Sequence, residues 1–332
     1  GVGSQTTIER QVHLQHLCVL LHKNNQFLKK HPDLHFKEFE YADMDAIKNI
    51  ANGIPLIEDG ACAAGAAYKG RPVGGIGDIG CFSFHPRKSV TTGEGGMVTT
   101  NSDEYGDLIG MMRNHGASIS EEQRHKGPKP FILPDFNLLG YNYRMTDLQI
   151  ALLMGQIEML PELRARRAER AALLTRLLQG IPAIRTMPAQ RQITQPTYYT
   201  FVLQYRPVQG SPAPHRDLFV AALEAEGIPC DGRFYEAVYK SDLYYATPRN
   251  CPQLTEVKEW HCPVSERAAY EESIWLFQFC LIGEEEDVRD LARAIEKVSA
   301  NLELLSRQDP TLAGVKAMGR AQRARAERSK NY

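Results

Sequence analysis

The sequence predicts an α/β fold with a mainly parallel sheet, followed by a smaller α+β unit. Three observations carry that reading. Between residues 43 and 100, helix and strand signals alternate at the spacing of a layered α/β domain. One strand run ends in acids, as a buried parallel strand does when its C-terminal end opens on a site. Over residues 182–196 the composition shifts to Pro, Gln and Thr, which marks a domain junction. The 332 residues suffice for about two domains.

The elements follow in order. Asp43 can cap a helix from Met44 to Ala51, with Asn52-Gly53 as its stop. The apolar run Ile54-Pro55-Leu56-Ile57 leads into Glu58-Asp59 and reads as a buried parallel strand. Residues Ile79 to Phe84 read as a second such strand, and Met97 to Thr100, beyond a Gly-rich turn, as a third. Residues 146–179 form a long amphipathic helix with a break expected at Pro161. Its apolar side is Leu148, Ala151, Leu152, Gly155, Ile157, Met159 and Leu160, and its Arg/Glu-rich stretch 162–170 is expected to be a solvated face. Beyond the junction come a strand at 198–205, a helix at 215–227 and a terminal helix at 287–304.

Composition bounds the function. Thirty-nine Lys and Arg against 40 Asp and Glu give a net charge of −1, unlike the basic balance of a dedicated nucleic-acid binder. Positive charge concentrates from Lys316 onward, where six Lys and Arg accompany one acid, and this tail is expected to be solvated. Seven cysteines, an odd number without a CxxC pair, suit reduced thiols in a cytoplasmic protein better than a disulfide frame or a zinc site. No apolar run reaches the ~18 residues of a membrane span, and Gly1-Val2-Gly3-Ser4-Gln5 opens no secretory signal.

The candidate chemistry centres on Asp59 and Lys88. Asp59 ends one strand run; Lys88 follows another by four residues. If those strands are neighbours, both side chains emerge at one sheet edge. A partly desolvated lysine is a Schiff-base former, and an acidic partner for a pyridinium nitrogen completes a pyridoxal phosphate arrangement. Spacing alone leaves open the plainer alternative of two ion-paired surface residues.

The surrounding residues are more specific. Pro55 to Gly65, then Gly77-Asp-Ile-Gly80-Cys-Phe-Ser83-Phe-His85-Pro-Arg-Lys88 through Gly93-Glu-Gly-Gly96, resemble the sugar aminotransferases of the DegT/DnrJ/EryC1/StrS family. So do Arg113-Asn-His-Gly116 and Gly140-Tyr-Asn142-Tyr-Arg144-Met-Thr-Asp147. The resemblance runs from about residue 43 to about 305 and implies a fold-type I pyridoxal phosphate-dependent transferase. Such a protein has a three-layer α/β/α large domain and a small C-terminal α+β domain. The expected divisions are an unassigned segment 1–42, the large domain over 43–185, the small domain over 186–305 and a basic tail over 306–332.

Carried over, the resemblance makes Lys88 the Schiff-base lysine and Asp59 the partner of the pyridine nitrogen. Ser83 would bind the cofactor phosphate, although its hydroxyl could equally cap a turn. Asn142 and Arg144 match an Asn-x-Arg segment that reaches across a homodimer interface, although Arg144 could also pair with Asp147. His85 is a substrate candidate. So is Tyr235, in a segment resembling the family's substrate-facing stretch; a packing tyrosine is its alternative. Cys62 stands where the family usually has Gln or His against the cofactor's phenolic oxygen, and a thiol is a weak donor. In residues 1–42 no Gly-Thr phosphate-binding turn is found, so the large domain is expected to be N-terminally incomplete, with sheet surface uncovered.

The implied reaction transfers an amino group from glutamine or glutamate to a keto-sugar or keto-cyclitol. Residues 262–275 resemble members acting on inososes. A nucleotide-sugar acceptor and an inactive relic or scaffold are the alternatives.

Overall fold

A computed structural model describes residues 42–119, 126, 133–188, 190–208, 210–232 and 262–307. The expectations for residues 1–41, for Tyr235 and for the basic tail from 308 onward lie outside the described residues.

Helix α1 (Met44–Ala51) is capped by the Asp43 carboxylate, which accepts from the Ala46 N–H at 3.1 Å. It stops at Asn52, in the left-handed region at φ 46°. Strand β1 (Ile57–Asp59) is shorter than the run predicted. Two short strands follow, β2 (Ala67–Tyr68) and β3 (Arg71–Pro72), then β4 (Ile79–Ser83), β5 (Gly96–Thr100) and helix α2 (Asp103–Arg113). β1 runs parallel to β4, with Asp59 opposite Cys81. β5 pairs antiparallel to β4, so the three-stranded sheet β1–β4–β5 has one parallel pair rather than the mainly parallel pattern expected. The loop 84–95 turns the chain straight back, which only an antiparallel partner permits.

β1 also reverses the expected burial. Ile57 is 59% exposed and Asp59 is exposed, whereas Glu58 is buried at 2%. The cause is a glycine loop on one face of the strand. The Glu58 carboxylate accepts from the N–H groups of Gly74 (2.5 Å), Ile76 (3.1 Å) and Gly77 (3.0 Å). Only glycine suits position 74: φ is +88°, and a Cβ there would lie 2.3 Å from the Phe82 ring. Three donors satisfy a carboxylate that would otherwise be costly to bury.

Helix α3 (Asp147–Leu177) is continuous through Pro161, against the break expected there. Leu153 anchors one side against Phe84 and Val90, and Ala171, Leu173 and Leu174 anchor the other in the second unit's core. Packing on both flanks outweighs a local cost of about 3 kcal/mol. Nor is 162–170 wholly solvated. Arg167 is buried, donating to Gln278 Oε1 at 2.8 Å, and Arg170 donates to the Gly283 carbonyl and Glu285.

The rest of the chain builds a second sheet. Strands β6 (Ile184–Thr186), β7 (Ile193–Gln195), β8 (Thr200–Tyr205), β9 (Cys230–Asp231) and β10 (Ser273–Phe277) surround helix α4 (Arg216–Ala225) in sequence. The helical turn α5 (Pro263–Arg267) precedes β10; α6 (Glu285–Ala300) and α7 (Leu302–Ser306) follow it. The order β6–β8–β10–β9 is antiparallel throughout. Phe219, Leu203, Ile274, Leu276 and Ile295, all fully buried, form the centre of its core. β7 joins neither large sheet. It pairs with β2 in a small sheet β3–β2–β7, so the Pro/Gln/Thr-rich stretch read as a junction binds back to residues 67–70.

Candidate active site

Because β1 and β4 are parallel neighbours, their C-terminal ends open on the same sheet edge. Asp59 lies there, one carboxylate oxygen accepting from the Ala61 N–H at 3.0 Å. Ser83 ends β4, and its hydroxyl accepts from the His85 N–H at 3.3 Å, the turn-capping contact left open by the sequence. The chain then turns tightly: the His85 carbonyl accepts from Lys88 N–H, and His85 Nδ1 accepts from Arg87 N–H at 3.2 Å. With Nδ1 accepting, the ring's other nitrogen, Nε2, is its N–H donor.

The turn brings Lys88, half-buried, to Cys62 in the loop after β1. Lys88 Nζ donates to Cys62 Sγ at 3.0 Å. The ammonium also stands 4.7 Å from the centre of the Tyr199 ring. Asp59 and burial both act on Cys81, opposite Asp59 in the register: burial first, then the carboxylate's charge, push its thiol above the ordinary range.

Asn142 and Arg144 sit apart from this cluster. Residues 141–143 lie along residues 112–115: Tyr141 N–H donates to the Met112 carbonyl, Tyr143 N–H to Arg113, and Asn142 bridges Asn114. Arg144 is exposed and donates to Asn114 Oδ1 at 2.5 Å, not to Asp147. The two quoted motifs, Arg113 to Gly116 and Gly140 to Asp147, are thus one surface. His115 within it takes φ +59°, a strained value for a non-glycine residue.

Sequence reasoning missed Tyr199 and Thr197. Thr197, buried, donates its hydroxyl to the Cys62 carbonyl at 3.3 Å. Both belong to the segment leading into β8, so the second half of the chain walls the lysine loop. Their only signal was an unexplained Pro-Thr-Tyr-Tyr at 196–199. Among the described residues no three His, Cys, Asp or Glu side chains gather as metal ligands would. No helix of the described residues is long and apolar enough to cross a membrane.

Residues 40–296 match the sequence profile of the DegT/DnrJ/EryC1/StrS aminotransferase family. That is more than three-quarters of the 332-residue chain. This chain belongs to that family. Among curated relatives, a Streptoalloteichus tenebrarius protein provisionally named L-glutamine:3-amino-2,3-dideoxy-scyllo-inosose aminotransferase is 33% identical over 277 residues. The match takes in 80% of this chain and 64% of that protein. The L-glutamine:2-deoxy-scyllo-inosose aminotransferase of Micromonospora echinospora is 32% identical, over 78% and 62% of the two chains. The chain therefore spans a little under two-thirds of the length of these relatives. Among solved structures, the aminotransferase from Psychrobacter cryohalolentis superposes with a TM-score of 0.66 at 28% identity, over 78% of this chain and 66% of that one. A 3-amino-5-hydroxybenzoic acid synthase, at 24% identity and a TM-score of 0.63, shares the fold over 79% and 65%. The DegT/DnrJ/EryC1/StrS fold seen here is the α/β fold-type I transferase fold that the sequence resemblance implied.

Proposed function

We propose that this chain is a pyridoxal phosphate-dependent aminotransferase. It would move an amino group from glutamine or glutamate to a keto-cyclitol of the inosose type, or to a related keto-sugar. One observation carries the reading: an amine, Lys88, and a carboxylate, Asp59, are brought to the same open edge of a parallel strand pair in a member of this family. The names of the relatives, glutamine:inosose aminotransferases, support the choice of donor and acceptor.

The donor set suits the cofactor. Lys88 offers an amine for its aldehyde, Asp59 a carboxylate for a protonated ring nitrogen, and Ser83 a hydroxyl for its phosphate. Cys62 stands beside Lys88, where a weak donor would meet the ring oxygen. When bound, the cofactor supplies an electron sink for the carbon that loses its proton. The chain's own part is proton transfer and orientation. Lys88, displaced by the donor's amine, moves the proton at the substrate's α-carbon. Tyr199, at its flank, limits where that amine can swing. His85 would donate to an acceptor hydroxyl. Asn142 and Arg144, exposed on a surface with the stacked rings of Tyr141 and Tyr143, would serve the site of a second copy in a homodimer.

An absorbance spectrum tests this directly. Adding pyridoxal phosphate should produce a visible band that bleaches with glutamine, and Lys88→Ala should abolish it. A band that survives Lys88→Ala would refute the assignment; no band in the unaltered chain would favour the scaffold alternative.

A further inference from the structure

The Cys62–Lys88 pair has a chemistry of its own. A thiol and an amine stand 3.0 Å apart, sulfur to nitrogen, with Cys62 exposed to solvent. Cys62 is held by its own loop: Ala63 N–H donates to the Gly60 carbonyl, and the Cys62 carbonyl accepts from Thr197. Lys88 is held from the other side, over the Tyr199 ring. Neither side chain has to cross the site to reach the other.

Three other described thiols, Cys81, Cys230 and Cys280, are less open to oxidation. Cys230 is buried, and burial pushes its thiol strongly upward. Burial pushes Cys280 up to about 11, and Cys81 upward as well. Thiolate character and access govern oxidation by peroxides. Of these four, Cys62 alone is exposed with an amine in contact.

We propose that Cys62 and Lys88 form an oxidation site for hydroperoxides, in which the two side chains become covalently joined and the lysine amine is withdrawn from use. In the first step the Cys62 sulfur attacks hydrogen peroxide. The O–O bond breaks, an S–O bond forms, and the second oxygen leaves as water with the thiol proton. Sulfur is oxidised by two electrons and the peroxide is reduced. In the second step the Lys88 nitrogen lone pair attacks that sulfur. An S–N bond forms, the S–O bond breaks, and the oxygen leaves as water with a proton from the amine. The protein loses two hydrogens in all and gains no oxygen. Sulfenic acids undergo the same condensation with backbone nitrogen; here a side-chain amine stands 3.0 Å from the sulfur. An external dithiol reverses the link by attacking sulfur and releasing the amine. The link follows from the geometry alone. Its consequence, a catalyst switched off by peroxide, rests on the function proposed above.

Two measurements on the full chain test it. The first is mass spectrometry of non-reduced digests after graded hydrogen peroxide. The peptides carrying Cys62 and Lys88 should appear joined, two hydrogens lighter than their sum, and separate again with dithiothreitol. Cys62 carrying added oxygens while the Lys88 peptide stays free would overturn the proposal, as would an unchanged digest. The second is borohydride trapping of pyridoxal phosphate on Lys88. Peroxide should cut labelling at least tenfold, dithiothreitol should restore it, and Cys62→Ala should keep its own untreated level after peroxide. Equal loss in Cys62→Ala would overturn the switch. If untreated protein takes no label at all, the proposed function fails, while the digest still decides the link.

Discussion

Around β8 and β10, Phe219, Leu203, Ile274 and Leu276 face inward and are fully covered. Along the first half of α3 the apolar side chains do the opposite: Leu148 is 85% exposed, Met154 60%, and Leu152, Ile157 and Met159 are exposed with them. Ile57 on β1 and Met97 and Val98 on β5 are exposed as well. One helix thus begins on a bare apolar face and ends in a closed core. The difference teaches where each part of the chain gets its stability. The second sheet holds itself together by hydrophobic burial. The first sheet has only two small apolar clusters, around Tyr68 and around Phe84, and adds polar ties: the Glu58 cage, the capped α1, and the return of β7 to β2. An apolar face of this kind is where the proposed second copy would meet this chain.

Four variants would break or sharpen that contrast. The largest effect belongs to Phe219→Ala, which opens a void at the centre of the closed core. It should cost about 3–5 kcal/mol in urea unfolding, and a cost below about 1 kcal/mol would dissolve the distinction between the two regions. Next is Glu58→Gln. One carboxylate oxygen becomes a donor facing N–H groups of the glycine loop, and the lost charge-assisted bonds should cost about 1.5–3 kcal/mol. Since the same strand ends in Asp59, the variant should also weaken pyridoxal phosphate binding, read from the absorbance titration. Third, Leu148→Lys paired with Met154→Lys should leave urea unfolding within about 0.5 kcal/mol for each substitution. The same pair should lower self-association in sedimentation; an unchanged association state would remove this face from the homodimer.

The smallest effect is electrostatic. Asp45 on α1 is paired with Lys69 and Arg71, both at the β2–β3 turn. The Lys69 and then the Arg71 hydrogen bond pull its carboxyl down to about 2. A folded-state value below the usual 3.8 stabilises the fold at higher pH, and that support drains away as pH falls toward 2. Asp45→Asn should therefore lower Tm slightly at pH 7 and by less near pH 2, and 0.5 M salt should shrink the difference at pH 7.

How much of this was legible in the sequence depends on the range of the interaction that decides it. Asp43 and Asn52 are local, and cap chemistry written within four residues reads directly. The reading of Asp59 and Lys88 was conditional on two strand runs being neighbours, and β1 and β4 do pair, with Lys88 meeting Cys62 in the loop after β1. The direction of β5, the burial of Glu58 under a glycine loop, and the unbroken helix at Pro161 were not legible. Each is set by packing partners at a distance, which no window of residues contains. Lys88 could be picked out by the motif around it. Tyr199 could not, because its place over Lys88 depends on two parts of the chain that meet only in the folded protein.

The meeting of Thr197 with Cys62 also sets an order of events in time. These residues are 135 positions apart. A ribosome adding about 5–20 residues per second needs roughly 7–27 s to carry the chain from one to the other. Through that interval the lysine loop has emerged but lacks its wall. β2 likewise waits for β7. The edge that carries Lys88 therefore stays incomplete until residue 199 has been made, and a nascent chain passes through a period in which its amine and thiol exist before the residues that wall them.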